Sequence, residues 1–221
     1  MFKAIFFKEW VKLRWSLLVL LVITFAIHLK TGITIRSAII SQGAYHLWYV
    51  ASIKKSVFYS TMMWLGPFVG LVTALAQFVP ETSKQRLRIL FHLPLAHNQA
   101  LAAMLCSGAL SLGALSLVSL SCLALCIAIF FPGEVVKAAL LTAFPWWLAS
   151  VPAYFGTALA LVETALWRKV VYGIMAFYLT QLMLADTLMG FELSIWAYVI
   201  VFSFYLPTVM LPAYRFKRGI V

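Results

Sequence analysis

The chain alternates long apolar runs with short polar punctuation. Runs at residues 15–29, 57–79, 99–131, 135–162, 170–188 and 194–212 are almost free of charge. A helix needs about 20 apolar residues, within a range of roughly 17–25, to cross a hydrocarbon core about 30 Å thick. The pattern predicts an all-α, polytopic integral membrane protein with six transmembrane helices in a single domain over residues 1–221. The first run is short. The third is too long for a perpendicular span and must tilt, protrude or break. Pro132-Gly133 is a turn signal between the third and fourth runs.

Composition agrees. The chain is 64% hydrophobic and 10% charged, whereas a soluble domain is about half apolar and a quarter charged. An aqueous fold of this size has nowhere to hide that much apolar surface, so its solvent is lipid. The net charge of +11 comes from 17 Lys and Arg against 6 Asp and Glu. These basic residues flank the apolar runs, where they meet headgroups and set orientation. No basic face is left over for nucleic acid.

Six spans put both termini on one side. With the termini in the cytoplasm, Lys3, Lys8, Lys12, Arg14, Lys84, Arg86, Arg88, Arg168, Lys169, Arg215, Lys217 and Arg218 lie inside. Lys30, Arg36, Lys54, Lys55 and Lys137 lie outside. The positive-inside rule selects this orientation, in the inner (cytoplasmic) membrane of the cell. The residues ahead of the first span, MFKAIFFKEWVKLRW, place Phe2, Phe6 and Leu13 on one helical face with Lys8 and Lys12 pointing away. Glu9 falls on the apolar side. Residues 1–14 are therefore expected to form an interfacial helix along the inner surface, before the chain turns into the membrane. No small-x-small cleavage pattern follows, so the first run reads as a retained anchor. The first external loop is apolar enough at Ile39, Ile40, Leu47, Trp48 and Tyr49 to suit a helix on the outer leaflet.

The most polar continuous stretch is FVPETSKQRLRILFHLPLAH, residues 78–97. Pro80 suits the first turn of a new helix, and Thr82 with Gln85 has capping-box spacing. Glu81, Lys84, Gln85 and Arg88 then form a polar stripe, opposite Leu87, Leu90 and Phe91. Pro94 ends the element. The expectation is a short amphipathic helix, about residues 80–93, lying under the membrane between spans two and three and offering a docking surface.

On Phe78, Glu81, Leu87, Leu90, Pro94 and Leu95, the stretch resembles the Phe-x-x-Glu, Leu-rich helix, Leu-Pro pattern of the first coupling helix in permease subunits of type-2 (ABC-2) ABC transporters. Gln85 and Arg86 depart from that pattern, at positions where many members carry Gly and Thr. The likeness covers the whole chain in layout and about twenty residues in motif. It implies a transporter, leaning to export, in which a separate cytoplasmic ATPase dimer binds ATP and Mg. It also implies a second permease copy or a paralogue beside this chain. The chain has no Gly-Lys pair and so no phosphate-binding loop of its own, and it is expected to be neither an enzyme nor a cofactor carrier. The resemblance implies an ATPase contact at Glu81, Lys84, Gln85, Arg86, Leu87, Arg88 and Leu90. A second internal contact would fall in VETALWRK, at Glu163 and Arg168.

Other features are weaker. Pro145, Trp146 and Pro152 on the fourth span, where prolines introduce kinks, and Gln181 on the fifth are expected to line a translocation path. Gln181 is costly in lipid and should face protein or water. Ser107/Ser111 and Ala109/Gly113 are small-xxx-small pairs. Cys106, Cys122 and Cys126 read as packing residues, and His92 with His97 fits no metal site. No GxSG, no HExxH and no paired carboxylates inside spans support an intramembrane enzyme. A non-transporting scaffold fits the hydropathy but leaves the two-faced internal helix unexplained.

Overall fold

A computed structural model of the chain describes residues 2–52, 59–83, 97–163 and 165–184. The regular structure there is helical throughout: α1 (Phe2–Gln42), α2 (Ala44–Ser52), a single 3-10 turn (Ser60–Met62), α3 (Leu65–Ser83), α4 (His97–Ala128), α5 (Gly133–Leu148), α6 (Ser150–Val162) and α7 (Leu166–Met183). Among the described residues, four segments are long and apolar enough to cross a membrane: Lys3–Gln42, Ser60–Thr82, Leu101–Ala128 and Gly133–Val162. The sixth predicted span, the end of the fifth, and Lys84, Gln85, Arg86, Leu87, Arg88, Leu90, His92 and Pro94 lie outside the described residues.

α1 shows no turn at residue 15. It is one helix of 41 residues, about 60 Å long at ~1.5 Å per residue, roughly twice a ~30 Å hydrocarbon core. Nothing between Phe2 and Gln42 breaks a helix except Gly32, which a helix tolerates. The first break is Gly43, at φ +82, a left-handed conformation that glycine adopts without strain. The short α2 follows, with Leu47 buried. The first turns of α1 are thus continuous with its span and packed on the bundle, with Ile5 and Leu13 buried.

Pro80 does not open a helix either. It lies inside α3, and the Thr82 hydroxyl donates back to the Phe78 carbonyl at 3.1 Å instead of capping a new N-terminus. Membrane helices absorb such prolines where neighbours cover the freed carbonyl.

Pro132-Gly133 turns the chain as its sequence indicates, with α5 beginning at Gly133. The predicted fourth span is two helices with a break at Ala149. Pro152 has no N–H for the Leu148 carbonyl, and its ring crowds the residue four positions back, so the helix is interrupted at Ala149 and resumes at once.

α3 packs along α6 and the end of α5. α1 packs along α4, and α7 closes against α6. Gly66 and Gly70 make the α3 contact possible: a Cβ on either would collide with the backbone carbonyl of Trp146 or Ser150, respectively. This glycine pair, four residues apart, is the small-xxx-small seam of the described bundle. Ala109 and Gly113 instead face outward, while Ser107 is buried.

Two adjoining apolar clusters fill the interior. One is built around Phe78, Met104, Tyr154 and Leu159, and the other around Ile35, Tyr59, Trp146 and Ile127. The outer surface is also apolar, with Leu110, Leu117 and Leu125 forming an exposed stripe on α4. A bundle with large apolar side chains outside and polar ones inside is ordered for lipid.

Candidate functional site

Glu9, which the sequence places on the apolar side of α1, is fully buried. It belongs to a polar network that joins four helices. Lys12 of α1 donates to Glu9 at 3.0 Å, to Glu81 of α3 at 2.8 Å and to the Gln77 carbonyl at 3.3 Å. Lys8 pairs with the same Glu81 oxygen at 2.8 Å. Glu81 is also fully buried, and its Oε2 makes no hydrogen bond among the described residues. Lys8 and Lys12 therefore turn toward a carboxylate on α3 instead of pointing away from the bundle.

Gln77, one turn before Glu81, links the other helices. Its amide nitrogen donates to Glu9 Oε2 at 3.0 Å and to the Met104 carbonyl of α4 at 2.8 Å. Its amide oxygen accepts from the Tyr154 hydroxyl of α6 at 2.6 Å. Ser107 donates to the Met104 carbonyl at 2.7 Å. Two ammonium and two carboxylate groups balance, so the network has no net charge to desolvate. Buried charges persist only when paired and hydrogen-bonded in this way.

A second polar tie joins α1 and α4. His28 is buried, with Nδ1 2.7 Å from the Thr24 carbonyl and Nε2 2.8 Å from the Ser119 carbonyl. From Glu9 to His28 is nineteen residues, about 28 Å along the helix, close to the ~30 Å depth of a hydrocarbon core.

The remaining sequence-derived site residues fall in two places. Glu163, at the end of α6, meets Arg168 Nε of α7 at 3.3 Å, and the Arg168 guanidinium lies 5.7 Å from the Trp167 ring centroid. These two residues bind each other across the turn. Pro145, Trp146 and Pro152 gather at the α5–α6 break, with Trp146 buried 5.6 Å from Tyr59, centroid to centroid. Gln181 is half-buried near the end of α7. Among the described residues, no group of three His, Cys, Asp or Glu side chains is placed to hold a metal.

Gln77, Tyr154, Lys8, Lys12 and His28 are the residues that sequence reasoning missed. The available signal was Glu9: a carboxylate on the apolar face of a membrane helix requires a cation and donors on a neighbour. Chemically the network ties helices together through paired charges and hydrogen bonds. The Tyr154 and Ser107 protons are both committed, and each ammonium faces a carboxylate. No protein-family model matches this chain, and no curated protein or solved structure matches it either.

Proposed function

We propose that the chain is the membrane-spanning subunit of an ATP-driven transporter, an exporter in sense, energised by a separate cytoplasmic ATPase dimer that binds ATP and Mg. In this reading it pairs with a second copy or a relative in the cell membrane, both termini inside. The ATPase docks on the segment after α3, through Lys84, Gln85, Arg86, Leu87, Arg88 and Leu90. Arg168 and Glu163 stiffen the neighbouring internal turn.

One observation carries this reading. Glu81, three residues before that segment begins, is clamped by Lys8 and Lys12 of α1, and Gln77 one turn earlier ties α3 to α4 and α6. A displacement of the docking segment would therefore move the ends of four helices together, not α3 alone. Glu81 serves as an anchor in this scheme and not as contact surface. The α5–α6 break at Pro145–Pro152, beside Gly66 and Gly70, supplies the place where the bundle bends.

Purification of the tagged chain from its native membrane tests the proposal. The wild type should bring an ATPase with it, and Lys84→Glu with Arg88→Glu should release that ATPase while the chain still inserts. An ATPase that stays bound to the charge-reversed chain contradicts the proposal, as does a wild-type chain that co-purifies with none.

A further inference from the structure

The His28 ring is buried on the face of α1 that packs along α4, and the transport scheme makes no use of it. Its two nitrogens have different surroundings. Nδ1 lies 2.7 Å from the Thr24 carbonyl, one turn back on α1. Nε2 lies 2.8 Å from the Ser119 carbonyl of α4 and 3.2 Å from the Ser119 hydroxyl. A carbonyl only accepts hydrogen bonds, whereas a hydroxyl donates as well as accepts. Nδ1 therefore carries a proton in every state that keeps its bond. Nε2 has a partner either way. With a proton it donates to the Ser119 carbonyl, and without one it accepts from the Ser119 hydroxyl.

A single residue of α4 thus satisfies both the imidazolium and the neutral ring. At 2% exposure, a ring nitrogen left unpaired in either state would be costly. A side chain that only ties two helices needs one hydrogen-bonding arrangement, and this one has two. The neighbouring hydroxyls do not compete for the ring: Thr24 donates to the Leu20 carbonyl and Thr31 to the Ile27 carbonyl. No carboxylate among the described residues pairs with it. Glu81 of α3 meets α1 at Lys12, sixteen residues or about 24 Å before His28. On α1 itself Lys30 is exposed, as are Tyr45, His46 and Tyr49 of α2. On α4, Cys122 is half-buried, and the Cys126 thiol turns to the His28 carbonyl at 3.9 Å, not to the ring. Serine 119 alone therefore answers to the charge of the imidazole, the one side chain whose ordinary titration falls at physiological pH.

We infer that His28 and Ser119 form a reversible proton-binding site between α1 and α4. Uptake places a proton on Nε2 and transfers that nitrogen from the Ser119 hydroxyl to the Ser119 carbonyl. Release reverses the exchange, and the Nδ1 proton stays on Thr24 throughout. Each uptake adds one positive charge between the two helices. The site does not depend on an ATPase.

Nitrogen-15 NMR of the histidine-labelled full chain in lipid tests the assignment, with the His28 signals identified by their loss in His28→Gln. From about pH 5 to pH 8, the ring should pass from imidazolium to a neutral form that carries its proton on Nδ1. Ser119→Ala keeps the carbonyl and removes the hydroxyl. It should raise the ratio of imidazolium to neutral ring about two- to tenfold at a given pH, the worth of one hydrogen bond. A ring that stays in one state across that range would overturn the inference. So would a neutral ring protonated on Nε2, or a ratio unchanged in Ser119→Ala.

Discussion

The Tyr154 hydroxyl reaches Gln77 at 2.6 Å across a position where Gly108 has no side chain. A Cβ there would overlap the Tyr154 hydroxyl and come within 2.7 Å of the Gln77 amide oxygen. Gly108→Ala should therefore displace Tyr154 and cost about 1–3 kcal/mol, the usual penalty of overpacking. Gly113 lies on the same helix, and a Cβ there meets nothing within 4 Å. Gly113→Ala should hold or raise stability by about 0.5–1 kcal/mol. Thermal unfolding of the two variants in detergent checks this, and equal shifts would contradict the packing.

Gly66 and Gly70 face backbone and not the end of a side chain, so their neighbours cannot swing aside. Gly66→Ala and Gly70→Ala should each lose as much as Gly108→Ala or more, at or above the upper end of ~1–3 kcal/mol. Monodisperse elution after graded heating reads the difference.

Lys8 and Lys12 both reach Glu81, but the Lys8 side chain is 41% exposed and that of Lys12 only 16%. Lys12→Met should cost about 3–5 kcal/mol, because it strands buried carboxylates. Lys8→Met should cost under ~1 kcal/mol, as exposed pairs do. Adding Glu81→Gln to Lys12→Met should cost less than the sum of the single changes, which a double-mutant cycle measures. Strict additivity would mean that the two groups do not interact.

Much of the bundle was legible from the order of apolar runs and from breakers. Pro132-Gly133 marked a turn because it cannot continue a helix, and Pro145 with Pro152 marked the span that divides at Ala149. The change from amphipathic to apolar composition near residue 15 suggests a turn, but no breaker stands there and α1 runs through it. At Pro80 the opposite holds: proline reads as a boundary in water but is absorbed inside a membrane helix. The network was half visible. Glu9 could be seen on the wrong face, but its partners on α3, α4 and α6 lie dozens of residues away, and helix periodicity does not say which faces meet.

Continuity of α1 has its own check. Phe7 and Ile33 both point outward, and twenty-six residues of straight helix separate them by about 39 Å. Spin labels at these two positions should report that distance. A markedly shorter one would restore a turn near residue 15.

The central claim is that the buried Lys–Glu–Gln–Tyr network passes motion from the docking segment to the bundle. Its most direct test is ATP hydrolysis by the complex purified on a Lys12→Met, Glu81→Gln chain. The ATPase should remain bound, since the docking residues are intact, but hydrolyse ATP more slowly than the wild-type complex. Wild-type hydrolysis in that variant would contradict the claim.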